Sequence, residues 1–210
     1  MSDLEPLERV RSTATPLPLD DIDTDVITPM HRVMDGSFVE HAFEVLRIDA
    51  DGEPKPNPFD DPDHADDAIL VTGRNFGCGS SRETAAWAVK GMGYRVVIAE
   101  SFGDIFRANC FRNAVLPVTL PAEVIADLVD AARSKVVFTV DVADATIAVE
   151  GRTIEFELAD VRRTALVEGL DDLDVARRYE SDVDAFEARD RDDRPWVQDV
   201  PASGARPSST

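Results

Sequence analysis

The part of the sequence with the clearest chemical content is residues 75–83, NFGCGSSRE, where two serines precede an arginine. Its glycines allow a tight turn after a strand and direct backbone N–H groups outward at the start of a helix, an arrangement that binds anions. The positive end of the helix dipole and the Arg82 guanidinium both favour negative charge, so the segment suits a carboxylate ligand and can stabilise an alkoxide at Ser80. Because serine is also a preferred helix N-cap, Ser80 has a purely structural alternative.

The commoner nucleotide-binding and hydrolase motifs do not fit this segment. Arg82 stands where a dinucleotide-binding loop carries its third glycine, and the sequence lacks the Gly-Lys-Ser/Thr of a P-loop. Ser80 also lacks the G-x-S-x-G elbow of serine hydrolases, and the chain has only 3 histidines to act as bases. Nucleotide binding and hydrolysis by a serine triad are therefore disfavoured.

Composition excludes further classes of protein. The chain carries 42 acidic and 22 basic side chains, a formal net charge of −20 that repels phosphate backbones, so we expect no nucleic-acid binding. No run approaches the roughly 18 apolar residues of a membrane helix, so we expect no membrane association. The N-terminal residues are acidic and lack the apolar core of a signal peptide, which predicts a cytoplasmic protein.

The cysteine content bears on cofactors. Cys78 and Cys110 are the only cysteines, too few to hold an iron–sulfur cluster. Cys78 lies between two glycines and Cys110 lies in an apolar helical segment, and both positions are typical of packing residues. The acidic runs show no metal-binding pattern. We therefore expect this chain to bind no metal and no cofactor of its own.

Strand and helix patterns alternate around the serine-containing segment. Residues 68–72 form the apolar run of a buried strand, and residues 82–90 form an apolar-rich helix. The same order then repeats, with strands over residues 94–100 and 115–119 and helices over residues 102–113 and 121–133. Strands that alternate with helices predict an α/β core with parallel strand pairing, in which the serine-containing segment follows a buried strand.

Other segments carry different patterns. Period-two alternation over residues 136–158 predicts antiparallel hairpin strands. Residues 20–29 predict a short strand that enters a loop, and residues 38–46 predict a short helix. The stretch 54–67 is rich in proline and aspartate, which predicts a surface loop that adds nothing to a packed core.

One domain accounts for most of the chain. Residues 161–168 predict a helix that Gly169 stops. We expect the domain to span residues 1–185. The remaining residues 186–210 are acidic and polar, so we expect them to form a disordered tail.

Four segments of the sequence resemble a known family when they are taken in order. They read DIDTDVITP from residue 21, NFGCGSSRETAAWA from residue 75, VVIAESFGDIFRANCFRNAVLPV from residue 96 and FELADVRRTALVEGLDDL from residue 156. Together they are similar to the small subunits of the 3-isopropylmalate dehydratases, relatives of aconitase, over roughly residues 15–185. The resemblance implies an α/β, aconitase-like swivelling domain built of β/β/α layers with a mixed sheet.

The resemblance also implies roles for residues in two of these segments. Ser80 is expected to be the base that removes the proton α to a carboxylate, Arg82 to clamp a substrate carboxylate, and Ser81 to assist by a hydrogen bond. Asp25 matches a motif aspartate near the family's active site and is expected to bind substrate or to orient a partner. Its alternative is a turn in which the carboxylate bonds its own backbone.

Thr24 and Arg32 complete the predicted substrate-binding residues. The alternative for Thr24, with Asp23, is that it only shapes the loop. Arg32 and His31 lie where the family carries a substrate-discriminating loop, so the resemblance predicts that either can approach the side chain of the malate. The alternative is that both are solvated surface residues.

The family implies a catalytic partner for this chain. Its small subunit docks on a separate large subunit whose [4Fe–4S] cluster acts as a Lewis acid on the departing hydroxyl group of a small hydroxy-dicarboxylate substrate. The resemblance therefore predicts a hydro-lyase subunit of leucine biosynthesis. It interconverts 2-isopropylmalate and 3-isopropylmalate and is active only with the large subunit.

Two residues depart from the family pattern. Thr84 stands where the family usually has a histidine after Glu83, and Glu168 stands for an asparagine. Both changes leave Ser80 and Arg82 in place. They admit a paralogous small subunit that acts on homocitrate, citramalate or dimethylmalate. Outside the enzymes, the alternative is a non-catalytic module for carboxylate binding and assembly.

Overall fold

The computed structural model describes residues 4–194 and 196, and the chain divides into two compact units between Asp171 and Asp172. The first unit contains two four-stranded sheets and the candidate site. The second unit is helical over most of its described residues. Within the described part of the chain, no helix is long and apolar enough to cross a membrane.

One sheet is parallel. Its strands, in spatial order, are β2 (Ala14–Leu17), β3 (Ile69–Thr72), β4 (Val96–Ala99) and β5 (Leu116–Thr119). Every residue of β3 and β4 is buried, as in a parallel sheet that is covered on both faces. Three of these strands agree with the predicted buried strands.

The other sheet is antiparallel. Its strands, in spatial order, are β1 (Arg9–Ser12), β6 (Phe138–Asp141), β7 (Thr146–Val149) and β8 (Arg152–Glu155). Buried and less buried residues alternate along β6 and β7, so this sheet packs one face against the protein interior. The α/β class is as predicted. The parallel and antiparallel pairings expected in one mixed sheet are divided between two sheets.

Seven helices belong to the first unit in its described residues. They are α1 (Thr24–Ile27), α2 (Met30–Asp35), α3 (Glu44–Arg47), α4 (Thr84–Gly91), α5 (Asp104–Arg112), α6 (Ala122–Arg133) and α7 (Asp160–Glu168). The four longer helices lie where the apolar periodicity predicts them. α7 ends at Gly169 in the left-handed region, as the sequence predicts.

The parallel sheet has a hydrophobic core on each face. Ile69 and Val71 of β3 belong to the core that includes α6 and the antiparallel sheet. Leu70, between them, belongs to the core that includes α4 and α5, because successive strand residues face opposite sides of a sheet. Burial on both faces fixes the carboxyl end of β3, from which residues 73–83 leave the sheet.

The strand predicted over residues 20–29 is wrong. The Asp23 carboxylate accepts hydrogen bonds from the backbone N–H groups of Asp25, at 2.9 Å, and Val26, at 2.8 Å, and so caps α1. An aspartate that bonds the backbone two and three residues ahead starts a helical turn and competes with strand pairing. The strand of this region is β2, which lies upstream.

The single helix predicted over residues 38–46 is wrong for most of its length. Only its last residues are helical, in α3, and α2 ends upstream at Gly36, which has left-handed backbone conformation. Phe43 is fully buried with φ 57°, and its ring stacks on Phe59 with the ring centroids 4.3 Å apart. Packing of this aromatic pair therefore overrides the local helical spacing.

The proline- and aspartate-rich loop ends in a buried polar cluster. The Asp67 cluster comprises Asp67, His64, Lys135, Thr13 and Thr15. His64 Nδ1 lies 2.6 Å from Asp67 Oδ2, and Lys135 Nζ lies 2.7 Å from His64 Nε2. Thr13 and Thr15 donate their hydroxyl protons to the two oxygens of the same carboxylate, the second at 3.0 Å. The prediction that residues 54–67 add nothing to the interior is therefore wrong for the last residues of that loop.

A tyrosine extends the Asp67 cluster into the interior. Tyr94 donates its hydroxyl proton to Thr15 Oγ1 at 3.0 Å, and burial raises the pKa of Tyr94 to about 12. Because an ammonium can only donate, His64 Nε2 accepts from Lys135 and Nδ1 donates to Asp67. The imidazole thus links the buried carboxylate to the partly buried Lys135.

The second unit contains α8 (Asp172–Arg177) and α9 (Glu180–Asp193). Ion pairs one helical turn apart support α9, with Arg191 Nη2 3.3 Å from Glu187 Oε2. Residues 186–193 of the predicted disordered tail are therefore helical, and the unit begins earlier than the predicted boundary at residue 185. Residues 197–210 lie outside the described residues, so disorder there stays a prediction.

Candidate functional site

Two glycines set the path of the loop that carries the two serines. Gly77 has φ 73°, and a Cβ on it would lie 2.2 Å from Cγ of the buried Phe106 ring. Gly79 has φ 96°, and its Cβ would lie 3.2 Å from Cβ of Asp23. Only glycine combines this backbone conformation with such close packing, which explains the residue type at both positions.

Backbone hydrogen bonds join this loop to the start of α1. Gly77 N donates to Ile22 O at 2.7 Å, and Thr24 N donates to Cys78 O at 2.9 Å. Asp23 and Cys78 form a parallel β-bridge. These contacts bring the first residues of α1 beside Ser80, although the two segments are far apart in the sequence.

The Ser80 cluster comprises Ser80, Arg82, Thr24 and Asp25. Ser80 Oγ lies 2.7 Å from Thr24 Oγ1 and accepts hydrogen bonds from Arg82 Nε, at 2.9 Å, and from Arg82 N, at 3.3 Å. Arg82 Nη2 donates to Thr24 Oγ1 at 3.2 Å and pairs with Asp25 Oδ1 at 2.7 Å. The structure thus brings together four of the residues that the sequence singles out.

The electrostatics of the Ser80 cluster favour negative charge on the serine oxygen. A guanidinium N–H donates directly to Ser80 Oγ, and hydrogen bonds from charged donors stabilise an anion more strongly than neutral ones do. Arg82 Nη1 is buried and has no hydrogen-bond partner among the described residues, so the guanidinium retains a donor for a ligand. The Asp25 side chain is 66% exposed, so a competing carboxylate can displace it.

Two structural alternatives for these residues are wrong. Ser80 is not a helix N-cap, because α4 begins at Thr84 with Glu83 in the capping position and no side-chain cap. The backbone-bonded aspartate of this region is Asp23, whereas Asp25 pairs with Arg82.

An open cavity of ≈ 380 Å³ lies against the Ser80 cluster, lined by residues 77–81 and 103–105. Ser80 and Ser81 both contribute to its wall, and their predicted contact with a substrate stays a prediction. The N-terminal end of α5 forms the opposite wall, with the exposed side chain of Ile105 at its edge. Sequence reasoning missed this wall, because the pattern of α5 predicts a helix without showing which loop its first turn faces.

Neither cysteine is placed for nucleophilic or metal chemistry. Burial, with the negative charges of Asp23 and Asp21, raises the pKa of the Cys78 thiol. Burial alone raises the pKa of the fully buried Cys110. Among the residues that the structure describes, no three His, Cys, Asp or Glu side chains come together to hold a metal ion.

Arg32 and His31 belong to a different group of side chains, the Glu44 cluster. Arg32 Nε lies 3.1 Å from both carboxylate oxygens of Glu44, and His31 and His41 each approach that carboxylate at 3.4 Å. The hydrogen bond from Arg32 lowers the pKa of Glu44. The structure therefore pairs Arg32 with Glu44, and its predicted contact with substrate stays a prediction.

The two departures from the family pattern lie at helix ends. Thr84 is the first residue of α4, and its hydroxyl oxygen is buried with no hydrogen-bond partner in the described part of the chain. Its neighbour Glu83 accepts a hydrogen bond from Asn113 Nδ2 at 2.9 Å. Glu168 is the last residue of α7.

Comparison with known proteins gives concordant matches. A family model described as the aconitase C-terminal domain matches residues 38–123. The 3-isopropylmalate dehydratase small subunit of Dinoroseobacter shibae is 41% identical over 201 residues, 92% of this chain and 100% of that protein. The small subunit of Staphylococcus saprophyticus is 38% identical over 191 residues, 89% of this chain and 97% of its own.

A solved structure shows the same fold. The crystal structure of a 3-isopropylmalate dehydratase from Methanocaldococcus jannaschii aligns with a TM-score of 0.60 at 24% identity, covering 84% of this chain and 98% of that one. The predicted aconitase-like swivelling fold is therefore confirmed. Since the sequence matches cover nearly the whole of their relatives, the chain belongs to the family of 3-isopropylmalate dehydratase small subunits.

Proposed function

We propose that this chain is the small subunit of a cytoplasmic hydro-lyase that interconverts 2-isopropylmalate and 3-isopropylmalate in leucine biosynthesis, by dehydration and rehydration. The observation that carries the proposal is the position of Ser80. Its oxygen accepts from the Arg82 guanidinium and lies against an open cavity, in a chain whose relatives bear this enzyme's name.

Ser80 acts as the base in this proposal. A serine hydroxyl is a weak base unless its deprotonated form is stabilised, and the two N–H donors of Arg82 supply that stabilisation. The alkoxide removes a proton from the carbon α to a substrate carboxylate, and the protonated hydroxyl returns it in the reverse direction.

Arg82 binds a carboxylate of the hydroxy-dicarboxylate substrate. Nη2 becomes available when the substrate displaces the exposed Asp25 carboxylate, so the guanidinium can then donate to the substrate. Ser81, in the same cavity wall, adds a hydrogen bond. Asp25 thus occupies the substrate's place on Arg82 in the isolated subunit.

The iron–sulfur cluster belongs to a partner. The residues of this chain do not fit a [4Fe–4S] cluster, because the described part gathers no metal-binding group and Cys110 is fully buried. We propose that a large subunit carries the cluster, which acts as the Lewis acid on the departing hydroxyl group. A net charge of −20 repels nucleic acid and anionic membrane surfaces, so we expect neither as a partner.

Reconstitution tests the proposal. The chain is mixed with its large subunit under anaerobic conditions, and turnover of the isopropylmalates is measured. We expect Ser80→Ala to lower kcat by roughly 10²–10⁴-fold. Ser134→Ala, at the exposed end of α6, is the matched control and retains activity. A wild-type rate in Ser80→Ala would remove Ser80 from the mechanism.

A paralogous activity is the second candidate, and Thr84 favours it because the family usually has histidine there. The same reconstituted pair is assayed with homocitrate, citramalate and dimethylmalate. Faster turnover of one of these acids identifies the paralogue. Assembly with the large subunit, but no turnover of any acid, identifies a non-catalytic module.

A further inference from the structure

Thr24 contacts Ser80 but is not among the residues that line the cavity. Thr24 is only 1% exposed, so its side chain is shielded from a substrate that enters the cavity. The structure gives its hydroxyl oxygen two partners, Ser80 Oγ at 2.7 Å and Arg82 Nη2 at 3.2 Å. The burial of Thr24 therefore argues against the direct contact with substrate that the sequence predicts for it.

The donors and acceptors around Ser80 determine the direction of its hydrogen bond with the Thr24 hydroxyl group. Neutral Ser80 uses its two lone pairs for the two N–H groups of Arg82, so its own proton points to Thr24 Oγ1. After deprotonation, the Ser80 oxygen has a further lone pair and accepts the proton of the Thr24 hydroxyl. Only the direction of the hydrogen bond changes, and the heavy atoms stay in place.

We infer that Thr24 is a positioning residue that lowers the free energy of the Ser80 alkoxide by donating a hydrogen bond to it. The inference rests on the proposed role of Ser80 as the base. A hydrogen bond to an ion is stronger than one between neutral groups, and burial strengthens it further, so the bond favours the deprotonated form.

The surroundings of Thr24 hold its hydroxyl in this position. Its backbone N–H donates to Cys78 O at 2.9 Å, and its carbonyl accepts from Thr28 Oγ1 at 3.2 Å. A β-branched side chain has few accessible rotamers, which keeps Oγ1 directed at Ser80. Valine has nearly the same shape without the hydroxyl group, so Thr24→Val isolates the hydrogen bond.

The first test measures acidity in the isolated full-length chain and needs neither partner nor substrate. Ser80→Cys places a thiol at the site, and alkylation at position 80 is followed against pH by mass spectrometry. Adding Thr24→Val is expected to raise the pKa of that thiol by roughly one to two pH units. Adding Thr72→Val, which removes a buried hydroxyl group of β3 that donates to Leu19 O and touches neither Ser80 nor Thr24, is the matched control and leaves it unchanged. Equal thiol pKa values with and without Thr24→Val would overturn the inference.

The second test uses the reconstituted enzyme. Thr24→Val is expected to lower kcat about tenfold or more and to move the rise of kcat with pH to higher pH, with little change in KM. Thr24→Ser, which restores a hydroxyl, is expected to recover most of the pH shift. A lower kcat with an unmoved pH profile would show a structural role only and contradict the inference. Thr24→Ala carries the same test if Thr24→Val fails to fold.

The two tests separate the inference from the proposed function. If the wild-type pair turns over no hydroxy diacid, the proposed function fails, and the thiol titration still decides the role of Thr24. If the pair is active but Thr24→Val changes neither the thiol pKa nor the pH profile, only the inference about Thr24 fails.

Discussion

The Ser80 cluster and the Asp67 cluster use similar side chains in different surroundings. Each contains two hydroxyl side chains, at least one of them a threonine, together with one carboxylate and one cation. The Asp67 cluster is closed, since the side chains of Asp67 and His64 are 1% and 5% exposed. The Ser80 cluster is open, since Asp25 is exposed, Arg82 retains an unpartnered nitrogen and a cavity adjoins Ser80.

Unused hydrogen-bonding capacity therefore distinguishes a candidate functional site from a structural hydrogen-bond network. In the Asp67 cluster the carboxylate, the imidazole and the ammonium bond one another, so its contribution is to stability. In the Ser80 cluster a donor stays without a partner and a carboxylate can leave. The first cluster should therefore respond to mutation by unfolding, and the second by loss of turnover.

The largest expected effect comes from opening the closed cluster. Asp67→Ala leaves the buried imidazole of His64 and the hydroxyl groups of Thr13 and Thr15 without their acceptor, so we expect the free energy of unfolding to fall by about 3–5 kcal/mol. Urea unfolding followed by circular dichroism measures it. Asp127→Ala, which removes an exposed ion pair with Arg152, is the control and costs at most about 1 kcal/mol. Equal losses in both variants would contradict the structural role of the Asp67 cluster.

The next effect concerns activity. Arg82→Lys keeps the charge but loses the planar donors that bind Ser80 and a carboxylate, so we expect kcat/KM to fall by roughly 10²–10³-fold with unchanged thermal stability. Steady-state kinetics of the reconstituted enzyme and a thermal melt measure both. Arg152→Lys, on the exposed face of β8, is the control. If Arg82→Lys lost stability instead of activity, the two clusters would not differ as described.

A smaller effect tests how the backbone holds the open cluster. Gly77→Ala forces a Cβ against the buried Phe106 ring in a left-handed conformation, so we expect a loss of about 1–3 kcal/mol of stability together with lower turnover. Gly93→Ala has the same kind of φ, 100°, with nothing within 4 Å of the added Cβ, and is the matched control. Equal urea midpoints for the two variants would show that Phe106 can move aside.

The smallest effect concerns the partly open Glu44 cluster. Arg32 lowers the pKa of Glu44 in the folded state, so the ion pair stabilises the fold at pH values above the ordinary carboxyl pKa. This stabilisation is lost as the pH falls through the folded-state pKa of Glu44. Glu44→Gln should therefore cost at most about 1 kcal/mol at pH 7, with a smaller difference from wild type at about pH 3, below the ordinary glutamate pKa. Unfolding curves at both pH values measure it, with the exposed Glu123→Gln as control. A pH-independent difference would assign the cost to packing.

The sequence predicts the repeating part of the fold well. Apolar periodicity reports which faces are buried, so it identifies β3, β4, β5 and the helices between them. It does not reveal which side chains form hydrogen bonds with the backbone. The Asp23 carboxylate caps α1 in this way, so the residues predicted as a strand form a helix. It also misses partners that are distant in the chain, such as Lys135 for His64.

The candidate site, like the fold, can be predicted only in part from the sequence. The types and spacing of Ser80, Ser81 and Arg82 predict a carboxylate site. The pairing of Asp25 with Arg82 and the burial of Thr24 depend on the β-bridge between Asp23 and Cys78, which no local pattern contains.

The ion pair between Asp25 and Arg82 has a consequence for the subunit before assembly. Because both residues belong to one chain, the carboxylate meets the guanidinium at the effective concentration of a tethered ligand, on the order of millimolar. A carboxylate that makes no other contact gains little by displacing such an internal ligand, whereas a substrate that also bonds Ser81 gains more. We therefore expect a newly made subunit to reach its partner with the Arg82 guanidinium paired within its own chain.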